Sequence, residues 1–157
     1  MIFCGTGLSA SFQYDAIGRR ITKTISGSTT SFLYDGVNVV QEQSGGSPVA
    51  NLPVANLLTS GIDQLFIRSD SSGTANLLTD ALGSVIGLTD SNGAIQRKYS
   101  YEPFGKTATV GSASSNPSKY TGREDDGTGL YSYRARYYSP TLQRFISEDP
   151  IGLLAQA

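Results

Sequence analysis

An Asp-x-x-Gly step, recurring along the chain and ten residues apart through its middle, constrains the fold more than any other feature. It occurs at Asp15/Gly18, Asp70/Gly73, Asp80/Gly83, Asp90/Gly93, Asp126/Gly129 and Asp149/Gly152, with Glu102/Gly105 as a near copy. Asp at the first position of a type I turn accepts hydrogen bonds from the turn's own N–H groups. Gly three residues on takes the left-handed conformation that sends the chain back as a bulged hairpin. Between the steps, residues alternate apolar and polar, as in Ala94-Ile95-Gln96-Arg97-Lys98-Tyr99-Ser100-Tyr101. Helical periodicity does not persist for more than two turns anywhere. The pattern predicts a run of antiparallel hairpins with strands of roughly five to eight residues.

Longer repeats overlie these steps. Phe12-Gln13-Tyr14-Asp15 returns twenty residues later as Phe32-Leu33-Tyr34-Asp35, and Ala55-Asn56-Leu57-Leu58-Thr59 returns word for word as Ala75-Asn76-Leu77-Leu78-Thr79. Such periods mark a repeat architecture. Tyr14, Tyr34 and Tyr101 are expected at strand ends on one sheet face, each stacking on the equivalent position of the next hairpin. The rhythm breaks at Ser44-Gly45-Gly46-Ser47-Pro48. There, Pro48-Val49-Ala50-Asn51-Leu52 is followed by its copy Pro53-Val54-Ala55-Asn56-Leu57. Pro53 would interrupt a central strand, so a lengthened loop or an edge is expected. A second loop is expected over 111–118.

Several chemistries are excluded by what is missing. The sequence has no His and one Cys, so Ser-His and Cys-His nucleophiles, His-ligated metals and an intrachain disulfide are ruled out. Cys4 lacks the neighbours that activate a thiol. A net charge of −1 disfavours nucleic acid as a partner. No window approaches the length of a membrane span, and the first residues lack the charge and apolar run of a Sec signal. Gly5-x-Gly7-x-x-Ala10 has no helix pattern after it, so it is not a dinucleotide turn. Glu124-Asp125-Asp126-Gly127 lacks the alternating oxygens of a calcium loop and is expected to be a solvated turn. No cofactor and no metal are expected.

Tyr14-Asp15-Ala16-Ile17-Gly18-Arg19 resembles the Y-D-x-x-G-R unit of RHS and teneurin-like proteins. Further on come Asp80-Ala81-Leu82-Gly83-Ser84-Val85, Tyr99-Ser100-Tyr101-Glu102-Pro103-Phe104-Gly105 and Tyr120-Thr121-Gly122-Arg123-Glu124, in that family's order. The runs Thr128-Gly129-Leu130-Tyr131-Ser132-Tyr133-Arg134-Ala135-Arg136-Tyr137-Tyr138-Ser139-Pro140 and Arg144-Phe145-Ile146-Ser147-Glu148-Asp149-Pro150-Ile151-Gly152-Leu153 resemble the RHS-associated core. The resemblance implies a β-strip coiled into a hollow shell, which in bacteria often encloses a toxic C-terminal domain. A core segment plugs one end and in many members cuts the chain beyond a second Asp-Pro. Here only Asp149-Pro150 is present, and the chain runs on as Leu154-Ala155-Gln156-Ala157. The cut site and any toxin are therefore expected to be absent. Gln143 stands where many members have Gly, and Gln64 where an acidic residue is common after Gly61-Ile62-Asp63.

The expected fold is all-β: repeated antiparallel hairpins forming part of a YD-repeat shell, open rather than complete. Residues 1–11 would be an N-terminal extension, 12–110 the hairpins with a loop at about 44–60, 111–153 the start of the core, and 154–157 a truncated tail. Tyr14, Asp15, Gly18, Tyr34, Asp35, Asp80, Gly83, Asp90, Gly93, Tyr101 and Gly105 are expected to be scaffold. Gly122, Arg123, Gly129, Leu130, Tyr131, Arg134, Arg136, Tyr137, Tyr138, Arg144, Phe145, Asp149, Pro150 and Gly152 form the core motif. Residues 131–138 read as one strand, with Tyr131, Tyr133 and Tyr137 on an aromatic face and Arg134 and Arg136 on a basic one. No catalysis is expected. Arg144 and Asp149 match the arginine and aspartate of an aspartyl autoprotease, but the second carboxylate such chemistry needs is missing, leaving an inactive remnant. The leading reading is a structural wall segment of a secreted or surface protein. Its partners would be the rest of an RHS shell or a self-associating copy, and an enclosed toxin domain. The alternative is a module binding glycans or proteins at a cell surface.

Overall fold

The computed structural model describes residues 2–5, 8–44, 53–61 and 64–148. Eleven strands follow one another in a single antiparallel sheet whose spatial order is the chain order. They are β1 (Ile2–Gly5), β2 (Leu8–Tyr14), β3 (Arg20–Ile25), β4 (Ser28–Asp35), β5 (Asn38–Ser44), β6 (Pro53–Gly61), β7 (Gln64–Asp70), β8 (Gly73–Thr79), β9 (Val85–Thr89), β10 (Ile95–Tyr101) and β11 (Thr107–Gly111). The sheet is not closed. Four short strands form a second sheet: β12 (Glu124–Asp125), β13 (Tyr131–Tyr133), β14 (Arg136–Ser139) and β15 (Arg144–Phe145). Among the described residues the only helical turn is Tyr120–Gly122. The all-β hairpins expected from the turn chemistry, and the open strip expected from the family resemblance, are the fold.

The turns work as their residues dictate. At Asp15, Asp80 and Asp90 the backbone carbonyl accepts the N–H of the Gly three residues on, at 3.0–3.1 Å. One carboxylate oxygen of each also accepts the N–H groups two and four residues on, as Leu82 (2.9 Å) and Ser84 (2.8 Å) donate to Asp80. The glycine at Gly18, Gly83 and Gly93 sits at φ +79 to +83°, where a Cβ is disfavoured. Glu102 closes the same turn with its carbonyl alone. Two steps depart from the pattern. Asp70 pairs directly with Gly73 across a two-residue turn, and Asp126 makes no turn because its carboxylate is buried elsewhere.

Register shifts recur just before four of the hairpin turns, at Gln13/Tyr14, Leu33/Tyr34, Leu58/Thr59 and Leu78/Thr79. Each extra residue bends its strand and raises the local twist, which curls the strip. Alternation sends one residue set to the inner face, the face covered by residues 116–145. On β8 to β10 that set is Leu77, Val85, Leu88 and Tyr99, backed by Leu65, Ala75 and Tyr101. On β2 it is Ala10 and Phe12, which meet Tyr137 of β14. Burying each large side chain stabilises the fold by about 1.5–3 kcal/mol. Between these clusters the inner face carries buried charges: Arg20 on β3, Glu42 on β5 and Arg68 on β7.

Four local expectations are corrected. Residues 2–5 and 8–11, set apart as an extension, supply β1 and the start of β2. Pro53 opens β6, which lies between β5 and β7, so the second copy of the tandem repeat is neither loop nor edge. A strand's first residue tolerates proline. The first copy, within 45–52, lies outside the described residues. Residues 131–138 form a hairpin rather than one strand, because Arg134 takes φ +59° and turns the chain between Tyr133 and Arg136. Finally, Tyr14, Tyr34 and Tyr101 stand at strand ends but do not stack on one another. Their partners are Tyr137, Arg19 and Tyr120 respectively.

Candidate functional site

The second sheet is fastened to the inner face of the strip by a charged seam. Tyr14 faces Arg20 and Phe12 faces Lys23 across β2 and β3, so two cations lie beside two aromatic rings. Arg20, 7% exposed, donates to Asp126 at 2.5 Å and to Glu124. Its guanidinium also lies over Phe12 and Phe32, at 5.4 and 5.1 Å from the ring centres. Lys23 reaches Asp126 at 3.2 Å. Glu124 and Asp126 are two residues apart in extended chain, which puts both on one side. Asp125 between them turns the other way, to Lys119 at 2.6 Å. The Tyr14 and Tyr137 hydroxyls close the cluster at 2.9 Å from each other.

Burial opposes the charge of Arg20, but Glu124 and Asp126 outweigh it and raise its pKa. Burial likewise pushes the Glu124 carboxyl up, while Arg20, Lys23 and Arg68 more than reverse this and hold it below its ordinary value. Asp126 has its side chain fully buried. The acidic run at 124–127 is therefore a buried ionic clasp and not the solvated turn expected. Its cations stand more than a hundred residues earlier in the chain.

A second ionic group lies farther along the strip. Arg68 donates to Glu42 at 2.9 Å and approaches Asp70 at 3.4 Å, and Ser115 of the connecting segment donates to Asp70. Burial raises the Asp70 pKa, but the bonds from Ser115 and the Ser72 amide and the nearby Arg68 leave it net lowered. Tyrosines make the third attachment. Tyr120, Tyr131 and Tyr138 donate to the carbonyls of Pro103, Gly105 and Phe104, at 3.0, 3.1 and 3.1 Å. Tyr101 donates to Val85 at 2.5 Å. Burial pushes Tyr34 and Tyr131 up to about 12. Gly105 must be glycine: a Cβ there would lie 2.4 Å from the Tyr120 ring, at φ +85°.

Beside the first clasp a cavity of about 360 Å³ opens between Phe32, Tyr34, Val39 and Leu57 of the strip and Arg123 and Arg134 of the second sheet. Tyr133, Tyr138 and Phe145 pack edge to face, and Arg136 lies 3.8 Å from the Phe145 ring centre.

The predicted residues fall into three sets. Asp15, Gly18, Asp80, Gly83, Asp90, Gly93 and Gly105 make turns, and Asp35 pairs with Asn38 across a two-residue turn. Gly122, Arg123, Gly129, Leu130, Tyr131, Tyr137 and Tyr138 lie in or against the second sheet. Arg144 is exposed and faces Ser139, while Asp149, Pro150 and Gly152 lie outside the described residues. Gln143, standing where the family pattern has Gly, takes φ +58°, the conformation that pattern exists to provide. Sequence reasoning missed Arg20, Lys23, Glu42 and Arg68. The one signal was their phase: Lys23 and Glu42 pair with inward Phe12 and Phe32.

Among the described residues no three His, Cys, Asp or Glu side chains gather to hold a metal. The clasp carboxylates sit in ion pairs, an environment that suits holding two sheets together better than proton transfer.

Residues 6–154 match the teneurin YD-shell family. The chain is 33% identical over 147 residues to the tRNA3(Ser)-specific nuclease WapA of Bacillus spizizenii, a match covering 90% of this chain and 6% of that protein. It is 28% identical over 184 residues to the toxin protein Tse5 of Pseudomonas aeruginosa, covering 95% of this chain and 14% of that one. Among solved structures it resembles the crystal structure of TcdB2-TccC3-Cdc42, with a TM-score of 0.70 and 26% identity, over 92% of this chain and 8% of that one. The chain thus spans a small fraction of the length of each of these proteins.

Proposed function

The chain belongs to the teneurin YD-shell family, and from that premise we propose that it serves as a length of shell wall in a toxin-related, secreted or surface protein, enclosing or presenting a C-terminal domain. The wall role rests on one observation above the others. Eleven strands run in unbroken chain order, and a second sheet is fastened across their inner face by buried charges. Such a build gives a rigid, curved partition. The nuclease activity in a relative's name is said of a protein of which this segment matches 6%, and it is not carried over here. In this reading the chain does no chemistry, and Arg144 with Asp149 is an inactive remnant of a self-cleaving core.

Two measurements on the purified chain test the proposal. Intact mass should stay constant over days across a range of pH, and a glycan array should give no hits. A clipped product that disappears in Asp149→Asn would make the chain an autoprotease. Reproducible glycan hits lost on substituting Tyr34 or Arg134, which line the cavity, would make it a binding module.

A further inference from the structure

The strip ends at β11, and the chemistry of that edge selects its partner. Hydrogen bonds fix which way the backbone points: Glu102 N–H donates to the Lys106 carbonyl, and Ser112 N–H to the Gln96 carbonyl. Residues 106 and 112 therefore face β10, and by the two-residue period of a strand so do 108 and 110. The N–H and C=O groups of Thr107, Thr109 and Gly111 face away from the sheet. No strand pairs with them among the described residues. Natural edges are guarded by charge or proline, and Thr-Ala-Thr-Val-Gly has neither. Ala108, Thr109 and Val110 are exposed, Val110 by 75%. Of the charges close by, Lys106 is paired with Glu102, and Arg97 of β10 donates to the Thr109 hydroxyl and the Ser112 carbonyl.

The strand is also complementary to itself. Laid antiparallel on a copy about Thr109, it sets Thr107 against Gly111 and Ala108 against Val110, and none of the paired residues is charged. We propose that β11 pairs with β11 of a second copy of this chain across a twofold axis, joining two eleven-stranded sheets into one. A twofold contact of this kind closes on itself and does not propagate. The inference does not depend on what the wall encloses.

Sedimentation of the 157-residue chain over a range of concentrations, with amide hydrogen exchange at each, tests it. A concentration-dependent dimer is expected, in which the Thr107 and Thr109 amides exchange at least tenfold more slowly than in the dilute monomer. Thr109→Pro removes an outward donor and leaves the bonds to β10 in place, so it should weaken dimerisation at least tenfold. In a Cys4→Ser background, Thr109→Cys should form an interchain disulfide on oxidation. A monomer at every concentration overturns the proposal. So does an oligomer in which the Thr109 amide exchanges freely, which would put the contact elsewhere. If Thr109→Pro fails to fold, the exchange pattern of the unmodified chain decides.

Discussion

Tyr34 and Tyr131 keep their hydroxyls on the carbonyls of Arg20 and Gly105, and the burial of these two side chains shows in their titration. Tyr34 and Tyr131 are pushed up to about 12 by burial, against an ordinary value near 10. The folded chain thus holds those protons more tightly than the unfolded one. The stability this contributes is complete below about pH 10 and drains away as pH rises through about 12. Denaturant midpoints should stay level from pH 7 to 9 and fall between 10 and 12; a level response over that upper range would mean the hydroxyls are solvated. The carboxylates act with the opposite sign. Glu124 and Asp70 are held below their ordinary values, so their contribution is present above roughly pH 4.5 and is lost as pH falls. Glycine gives a sharper contrast. Gly93→Ala, with open space around its Cβ, should cost about 1 kcal/mol, whereas Gly105→Ala drives a methyl into Tyr120 and should cost about 3 kcal/mol or more. Thermal melts of the two variants separate them, and equal losses would mean that the Tyr120 contact is not tight. At this scale legibility follows distance along the chain. The Asp15 turn could be read because its donors lie within four residues, while Arg20 and Asp126 are 106 residues apart and neither carries a local mark of the other.

Among elements, the hairpin turn is the unit that the sequence spells out most fully. Asp80 and Asp90 each satisfy two amides of their own turn. Asp80→Ala and Asp90→Ala should therefore cost about 1 kcal/mol each. Because the two turns share no hydrogen-bond partner, the double substitution should cost close to the sum. Chemical denaturation checks this, and strong coupling between them would mean that the turns do not fold as separate units. The run of antiparallel hairpins could be read for the same local reason. The register shifts could not, since a bulge slips the apolar pattern by one residue without changing composition. β6 reads as an interrupted loop because Pro53 seems set inside a strand when it stands at the start of one, and β13 and β14 read as one strand because the left-handed turn at Arg134 leaves the alternation of residue types unbroken.

Over the whole molecule, repeat rhythm and family resemblance carried the open β-strip, while the placing of the second sheet came from long-range contacts, the buried ion pairs foremost, with the tyrosine–carbonyl bonds and the Phe12–Tyr137 packing. The wall account stands on that placing. A strip with an unattached closing segment would be a frayed ribbon, whereas a strip clasped through Arg20, Lys23, Glu124 and Asp126 is a rigid partition. Breaking a buried pair strands a charge, which costs about 3–5 kcal/mol, whereas replacing both partners with apolar groups removes most of that penalty. The most direct test is a double-mutant cycle on equilibrium unfolding with Arg20→Met and Asp126→Leu. Each single change should destabilise by about 3 kcal/mol or more, and the double variant by less than the sum of the two, with a coupling of at least about 1.5 kcal/mol. Single losses below about 1 kcal/mol that simply add would mean the second sheet is not clasped to the strip, and the wall account would fail with it.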